Sequence, residues 1–145
     1  MYRQIDFKVD DEGDLELASN GDLLLSSPAQ SLGQEIAFRL KTEHADYRPD
    51  IDQGANLRSY VGEPNTARTA AAIVENTVIA LSRDGFMPPG LMVVDAVPIA
   101  INKLVLMVMY TGGIEGLETP LVIDRLINLD EQGTNNESIL NVTEL

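Results

Sequence analysis

The stretch LMVVDAVPIAINKLVLMVMYT, Leu91 to Thr111, decides the fold class of this chain. It is rich in β-branched and apolar residues, and it reads as two strands, Leu91 to Ala100 and Asn102 to Thr111. In the second, Leu104, Leu106, Val108 and Tyr110 face one way and Val105, Met107 and Met109 the other. Both faces are apolar, which implies a strand covered on both sides, by the protein itself or by a partner. Pro98 pushes the first strand towards a sheet edge or a bulge. TGGIEG then makes a turn, and Glu118 to Leu129 reads as a further strand.

Upstream the pattern is helical. Ser27 is a good N-cap and Pro28 a favoured first helical residue. Leu32, Ile36 and Leu40 recur every four residues with Phe38 to one side, which predicts an amphipathic helix over 28–44. A second helix is predicted over 66–84, capped by Asn65 or Thr66. Its expected face is Ala67, Ala71, Val74, Val78 and Leu81, and Gly85 stops it. Between the helices lies YRPDIDQGANLRSYVGEPNTART, Tyr47 to Thr69, a long connector dense in turn residues and charge. Long connectors in compact domains are either functional or disordered. The apolar spacing of Ile51, Leu57, Tyr60 and Val61 argues that this one is docked.

The N-terminus carries a near-repeat, EGDLEL at Glu12 to Leu17 and NGDLLL at Asn20 to Leu25, which reads as a small β-hairpin or meander. DDEGD lacks the ligand order of a calcium loop and reads as a turn. Strands and helices are therefore segregated along the chain. The class is α+β, with a largely antiparallel sheet of about three C-terminal strands. Residues 1–130 form one domain, and residues 131–145 read as a polar tail.

Composition narrows the function. The 145 residues carry 23 acidic against 10 basic side chains, a formal net charge of −13. That field opposes phosphate contact, so no nucleic-acid partner is expected, and a basic partner surface is favoured. A plain solvated acidic surface is the simpler reading of the same charge. With no cysteine, disulfides and thiolate metal sites are excluded. No apolar run approaches a membrane span, and there is no apolar signal core, so no membrane partner is expected. There is no Gly-rich phosphate loop, and no cofactor or metal is expected.

Catalytic constellations are sparse. His44 is the one histidine; at the end of the first helix the dipole gives it a structural role. A carboxylate pair is the remaining catalytic option. Glycoside hydrolysis needs two carboxyls about 5 to 9 Å apart, one with a raised pKa. Glu43, Asp46, Asp50, Asp52 and Glu63 crowd the connector and could supply one.

The chain as a whole resembles a known family. A GDL-type turn and strand precede a helix with Gln34, Ile36, Arg39, Leu40 and Thr42 in a characteristic spacing. Asp46, Tyr47, Pro49 and Asp50 then lead into GANLRSYVGEPNT, Gly54 to Thr66, and the second helix. This is similar to the baseplate wedge proteins of contractile-tailed bacteriophages, the tail-sheath initiators, whose relatives occur in type VI secretion and pyocin-like particles. The resemblance covers about residues 5–130. In that family the connector carries Glu-Pro-Arg; here Gly54, Leu57, Glu63 and Pro64 match, but Asn65 stands at the Arg position. Arg68, one turn on, is the nearest substitute.

The resemblance implies a non-enzymatic virion protein of the tail baseplate, assembled in the host cytoplasm. Its partners would be baseplate wedge proteins, tail sheath subunits and, further, tail tube or hub proteins. Wedge contacts would fall on Gly54, Leu57, Arg58, Gly62, Glu63, Pro64, Asn65 and Arg68. Sheath contacts would fall on Val93, Val94, Ala96 and Val97 of one strand and Leu121, Val122, Ile123, Arg125 and Ile127 of another. The implied mechanism is β-augmentation, an open sheet edge in Val93 to Ile99 or Pro120 to Leu129 receiving sheath arms. The alternatives are an acidic lysozyme-like glycoside hydrolase, a label some family members carry, and a generic adaptor domain. For GEPNT the alternative is simply a well-made helix start.

Overall fold

A computed structural model describes residues 1–130 and the backbone of 141–144. Helix α1 spans Pro28–Lys41 and α2 spans Ala67–Ser82, both shorter at the C-terminal end than their sequence patterns suggest. Strands β1 (Met92–Ala100), β2 (Lys103–Tyr110), β3 (Leu121–Asn128) and β4 (Asn141–Glu144) form one antiparallel sheet in the order β1-β2-β3-β4. The α+β class with two helices and a C-terminal antiparallel sheet is as the sequence reads. Part of the segment read as a tail, Asn141–Glu144, pairs with β3; residues 131–140 and 145 lie outside the described residues.

The helices cover one face of the sheet. Leu32, Ile36 and Leu40 of α1 meet Leu104, Leu106 and Val108 of β2 and Leu121, Ile123 and Ile127 of β3 in one core. The buried stripe of α2 differs from the expected one. Thr69, Ala70, Ile73, Thr77, Ala80 and Leu81 are buried, whereas Ala67 and Ala71 are exposed and Val74 and Val78 lie at its flank. Small Ala residues gave the other stripe apparent periodicity, but Ile73 carries more apolar area and takes the centre.

Both helix starts follow their cap chemistry. Ser27 and Gln30 make a reciprocal capping box around Pro28, and Thr66 accepts from the Thr69 N–H. The C-terminal carbonyls of α1 are satisfied from the connector: Ala55 N–H donates to Arg39 O at 3.0 Å and Asn56 N–H to Thr42 O at 3.4 Å. Arg39, buried, reaches across to the end of α2, donating to Ala80 O at 3.1 Å and Arg83 O at 3.3 Å. Its guanidinium also lies 4.4 Å from the Phe86 ring centre.

The N-terminal repeat folds differently from a hairpin. Bridges join Phe7 to Leu25, Val9 to Leu15 and Leu17 to Leu23, so three-residue strands close into a ring. At its centre Lys8 N–H donates to Leu24 O, Leu24 N–H to Glu16 O and Glu16 N–H to Lys8 O. Strands this short cannot satisfy a whole partner, so each shares its groups between two neighbours. The turns fit this, with Gly13 at φ 93° and Gly21 at φ 87°. Asp10 Oδ1 accepts from the Glu12 and Asp14 N–H groups, which accounts for DDEGD as a turn.

Candidate partner interface

The connector is docked along its length, though not by every residue expected to hold it. Leu57 is buried and Tyr60 and Val61 are half-buried, but Ile51 is exposed. The Tyr60 hydroxyl donates to Ala72 O at 3.2 Å and accepts from Asn76 Nδ2. Asp50 binds Arg83 in a two-point ion pair, both contacts 2.8 Å, and Gly62 N–H donates to Leu129 O at 2.9 Å. These tie the connector to α2 and to the end of β3.

The expected wedge residues divide into two groups. Gly54, Leu57 and Asn65 are turned inward. Gly54 has φ 101°, and a Cβ there would lie 2.1 Å from Thr42 O, so only glycine fits. Asn65 Nδ2 donates to Ala100 O at 2.8 Å and Lys103 O at 3.0 Å, fastening the connector to the β1–β2 turn. It is a clamp within the chain. Arg58, Gly62, Glu63, Pro64 and Arg68 are exposed around the start of α2. Among the described residues, Glu63 and Arg68 have no ion-pair partner.

The expected sheath residues divide by strand alternation. Leu121, Ile123, Arg125 and Ile127 point into the core, and Val94 and Ala96 face the helices half-buried. Their side chains are not open to a partner in this fold, because the odd positions of β3 and the even positions of β1 share the helix-covered face. Val93 and Val97 lie on the opposite face, as does Val122, itself largely covered. That outer face is completed by residues the sequence reading did not assign to a partner. Val105, Met107 and Met109 of β2 and Leu126 of β3 sit in register with them, each half-exposed. The signal was present in the two apolar faces of β2; the described protein covers only one.

The two expected edges fare differently. β3 is paired with β2 throughout and with β4 over Leu121 to Asp124, so that part of Pro120 to Leu129 is not an open edge. β1 is an edge strand with a register shift between Pro98 and Ala100, as Pro98 leads one to expect. Thr111 N–H donates to Leu91 O, so odd residues of β1 bond to β2 and even residues point outward. The outward donors are then mostly removed: Met92 N–H bonds Pro89 O, Ala96 N–H bonds Asp95 Oδ1, and Pro98 has none. Among the described residues only Val94 keeps an outward N–H in this stretch. Edge blunting of this sort guards against uncontrolled pairing.

Buried charge gathers behind the connector. Arg125 is 6 % exposed, and among the described residues its buried Nε and Nη1 have no hydrogen-bond partner. Burial pulls its pKa down, partly offset by the Glu43 carboxylate. Burial in turn pushes the Glu43 carboxyl up, opposed by the Arg58 N–H it accepts and by the Arg125 charge. Of the other connector acids, Asp46 accepts from Glu43 N–H, Asp50 and Asp52 face Arg83, and Glu63 is exposed. His44 lies two residues beyond the C-cap Thr42 and is exposed. No group of three or more potential metal ligands occurs among the described residues, and no described helix is long and apolar enough to cross a membrane. Comparison with family models, with curated proteins and with solved structures finds no match for this chain.

Proposed function

We propose that this protein is a non-enzymatic structural component of a contractile-tail baseplate that binds wedge subunits and starts the tail sheath. The observation that carries the reading is the outer sheet face. Val93, Val97, Val105, Met107, Met109 and Leu126 form an apolar surface with only Asp95 and Asp124 beside Met107, and no described element covers it. A contiguous bare apolar face on a soluble fold marks an interaction site. Sheath subunits dock there, and the outward β1 carbonyls of Met92, Val94, Ala96 and Pro98 accept from an incoming strand. The edge thus supplies acceptors and the face supplies apolar area. Wedge subunits bind the exposed rim of the connector at Arg58, Gly62, Glu63, Pro64 and Arg68. The resemblance of Gly54 to Thr66 to the sheath-initiator connector supports this half of the reading.

The test is assembly from purified sheath, tube and wedge proteins with and without this chain, imaged by electron microscopy. Sheath growing from the baseplate end only in its presence is the expected result. Met107→Lys, a charge on the bare face between Asp95 and Asp124, should block growth while leaving the melting curve intact. Sheath that forms equally well without the protein ends the reading.

A further inference from the structure

A second apolar surface lies on the N-terminal segment. Bridged pairs share a face, and so do alternate residues of one strand. The ring topology therefore places Phe7, Val9, Leu15, Leu17, Leu23 and Leu25 on one face of the N-terminal ring. All but Val9 are exposed, Leu17 by 61 % and Leu25 by 59 %. Part of this face forms one wall of a groove of about 820 Å³, whose other walls include Phe38 of α1 and Phe86 beyond α2.

We propose that this groove and the ring face beside it dock a basic amphipathic helix of a partner protein. Three features select that occupant. First, the ring offers no strand edge. Its central backbone groups bond one another, and Gln34 of α1 takes the Val9 N–H and donates to Phe7 O. On the strand that lines the groove, main-chain pairing is closed off, so a partner there must bind through side chains, as a helix does in a groove. Second, the apolar surface continues past the groove onto Leu17, Leu23 and Leu25, further than a small ligand reaches.

Third, the charge is one-sided. Asp6, Glu35 and Asp84 line the groove, and the one cation among its walls, Arg39, is buried and bonded to Glu35, Ala80 O and Arg83 O. With a chain charge of −13 behind it, this rim attracts lysine and arginine on the flanks of an apolar stripe. Phe38 is the anchor position: it is 46 % exposed and held edge-on by Tyr47, ring centres 6.4 Å apart. The surface is separate from the outer sheet face, so its use does not depend on the sheath reading.

The test uses the full chain and a synthetic Leu/Lys peptide of about 18 residues, five helical turns, with its leucines on one face. A peptide of the same composition in scrambled order controls for bulk charge attraction. Saturable binding by fluorescence anisotropy, with amide shifts centred on Phe7, Leu15 and Phe38, is expected for the first peptide. Phe38→Ser and Leu15→Ser, each checked for an unchanged melting curve, should weaken it by about tenfold or more. Met107→Lys should leave it unchanged. No saturable binding, equal binding of the scrambled peptide, or indifference to both substitutions overturns the proposal. So does a dimer of the free chain that Leu15→Ser abolishes, since a second copy is then the occupant.

Discussion

Asn65 donates from Nδ2 to the carbonyl of Ala100 at 2.8 Å, and the same nitrogen reaches Lys103 O at 3.0 Å. One amide thereby binds the start of α2 to the turn between β1 and β2. Its buried Oδ1 has no partner among the described residues, so the bond geometry is fixed by the nitrogen. In the sheath-initiator resemblance this position carries Arg and is read as a partner contact; here a shorter side chain makes an internal one.

Removing that clamp has a defined cost. Asn65→Ala loses both bonds and should lower stability by about 1 to 2 kcal/mol. Asn65→Asp should be worse at neutral pH, because a carboxylate would face two carbonyl oxygens with no proton to donate. Urea denaturation of the three proteins checks the order. Equal midpoints for Asn65→Ala and wild type would show the clamp to be idle.

Gly54 makes a sharper prediction. Its φ of 101° is strained for any side chain, and a Cβ would meet backbone, Thr42 O, at 2.1 Å. Gly54→Ala should displace the connector and cost about 3 kcal/mol or more, near the upper range for single substitutions. Gly13, at φ 93° with open space around its Cβ position, separates the two causes. Gly13→Ala should cost only about 1 kcal/mol, from conformation alone. Thermal melts of both variants measure the difference.

How much of this was legible beforehand follows from which residues carry local signals. Ser27, Pro28 and Thr66 announce helix starts through chemistry confined to one turn, and the alternation of Leu104 to Tyr110 sets the sheet faces. The sites needed more than local signals. Whether Arg125 faces a partner or the core depends on which strand face the helices cover, and β3 alternates Leu121, Ile123, Arg125 and Ile127 with Val122, Asp124 and Leu126. Both series are mainly apolar, so the polar residue does not mark the outside. The ring at residues 7–25 was hidden for a different reason. Its eight-residue repeat is the same whether each strand pairs with one neighbour or closes on two.

Arg125 itself should be dispensable for stability. Among the described residues its buried Nε and Nη1 lack hydrogen-bond partners, and Glu43 is the opposing charge that bears on it. Replacing a poorly compensated buried ion by an apolar side chain of similar length is commonly neutral or stabilising by about 1 to 4 kcal/mol. Arg125→Met should therefore raise the urea midpoint at neutral pH. A loss of more than about 1 kcal/mol would show that the guanidinium holds a bond within the fold.

Glu43 gives the pH dependence. Burial raises its folded pKa above the ordinary value of 4.5, so in the window between the two the folded state binds more protons than the unfolded chain. The contribution of Glu43 to stability then increases as pH falls through the folded pKa towards 4.5, and decreases as pH rises again. Wild type should gain on Glu43→Gln as pH is lowered from 7 to about 4.5. Denaturation of both across that range reads the difference, and a constant gap would place the carboxyl at its ordinary pKa.

The β1 edge predicts a gain of association on mutation. Asp95 occupies the outward N–H of Ala96, and Pro98 removes another donor. Asp95→Ala with Pro98→Val would restore both donors beside the free Val94 N–H, and would also remove one charge from the apolar outer face. An edge with alternating donors and acceptors can pair with a second copy of itself in antiparallel register. The double variant should therefore sediment as a concentration-dependent dimer or larger species under conditions where wild type does not change. Each single variant should fall between, because one restored donor extends the ladder by one rung only. If the double variant sediments as wild type does, the β1 edge is not controlled by its donors, and the acceptor role given to it in sheath docking fails with it.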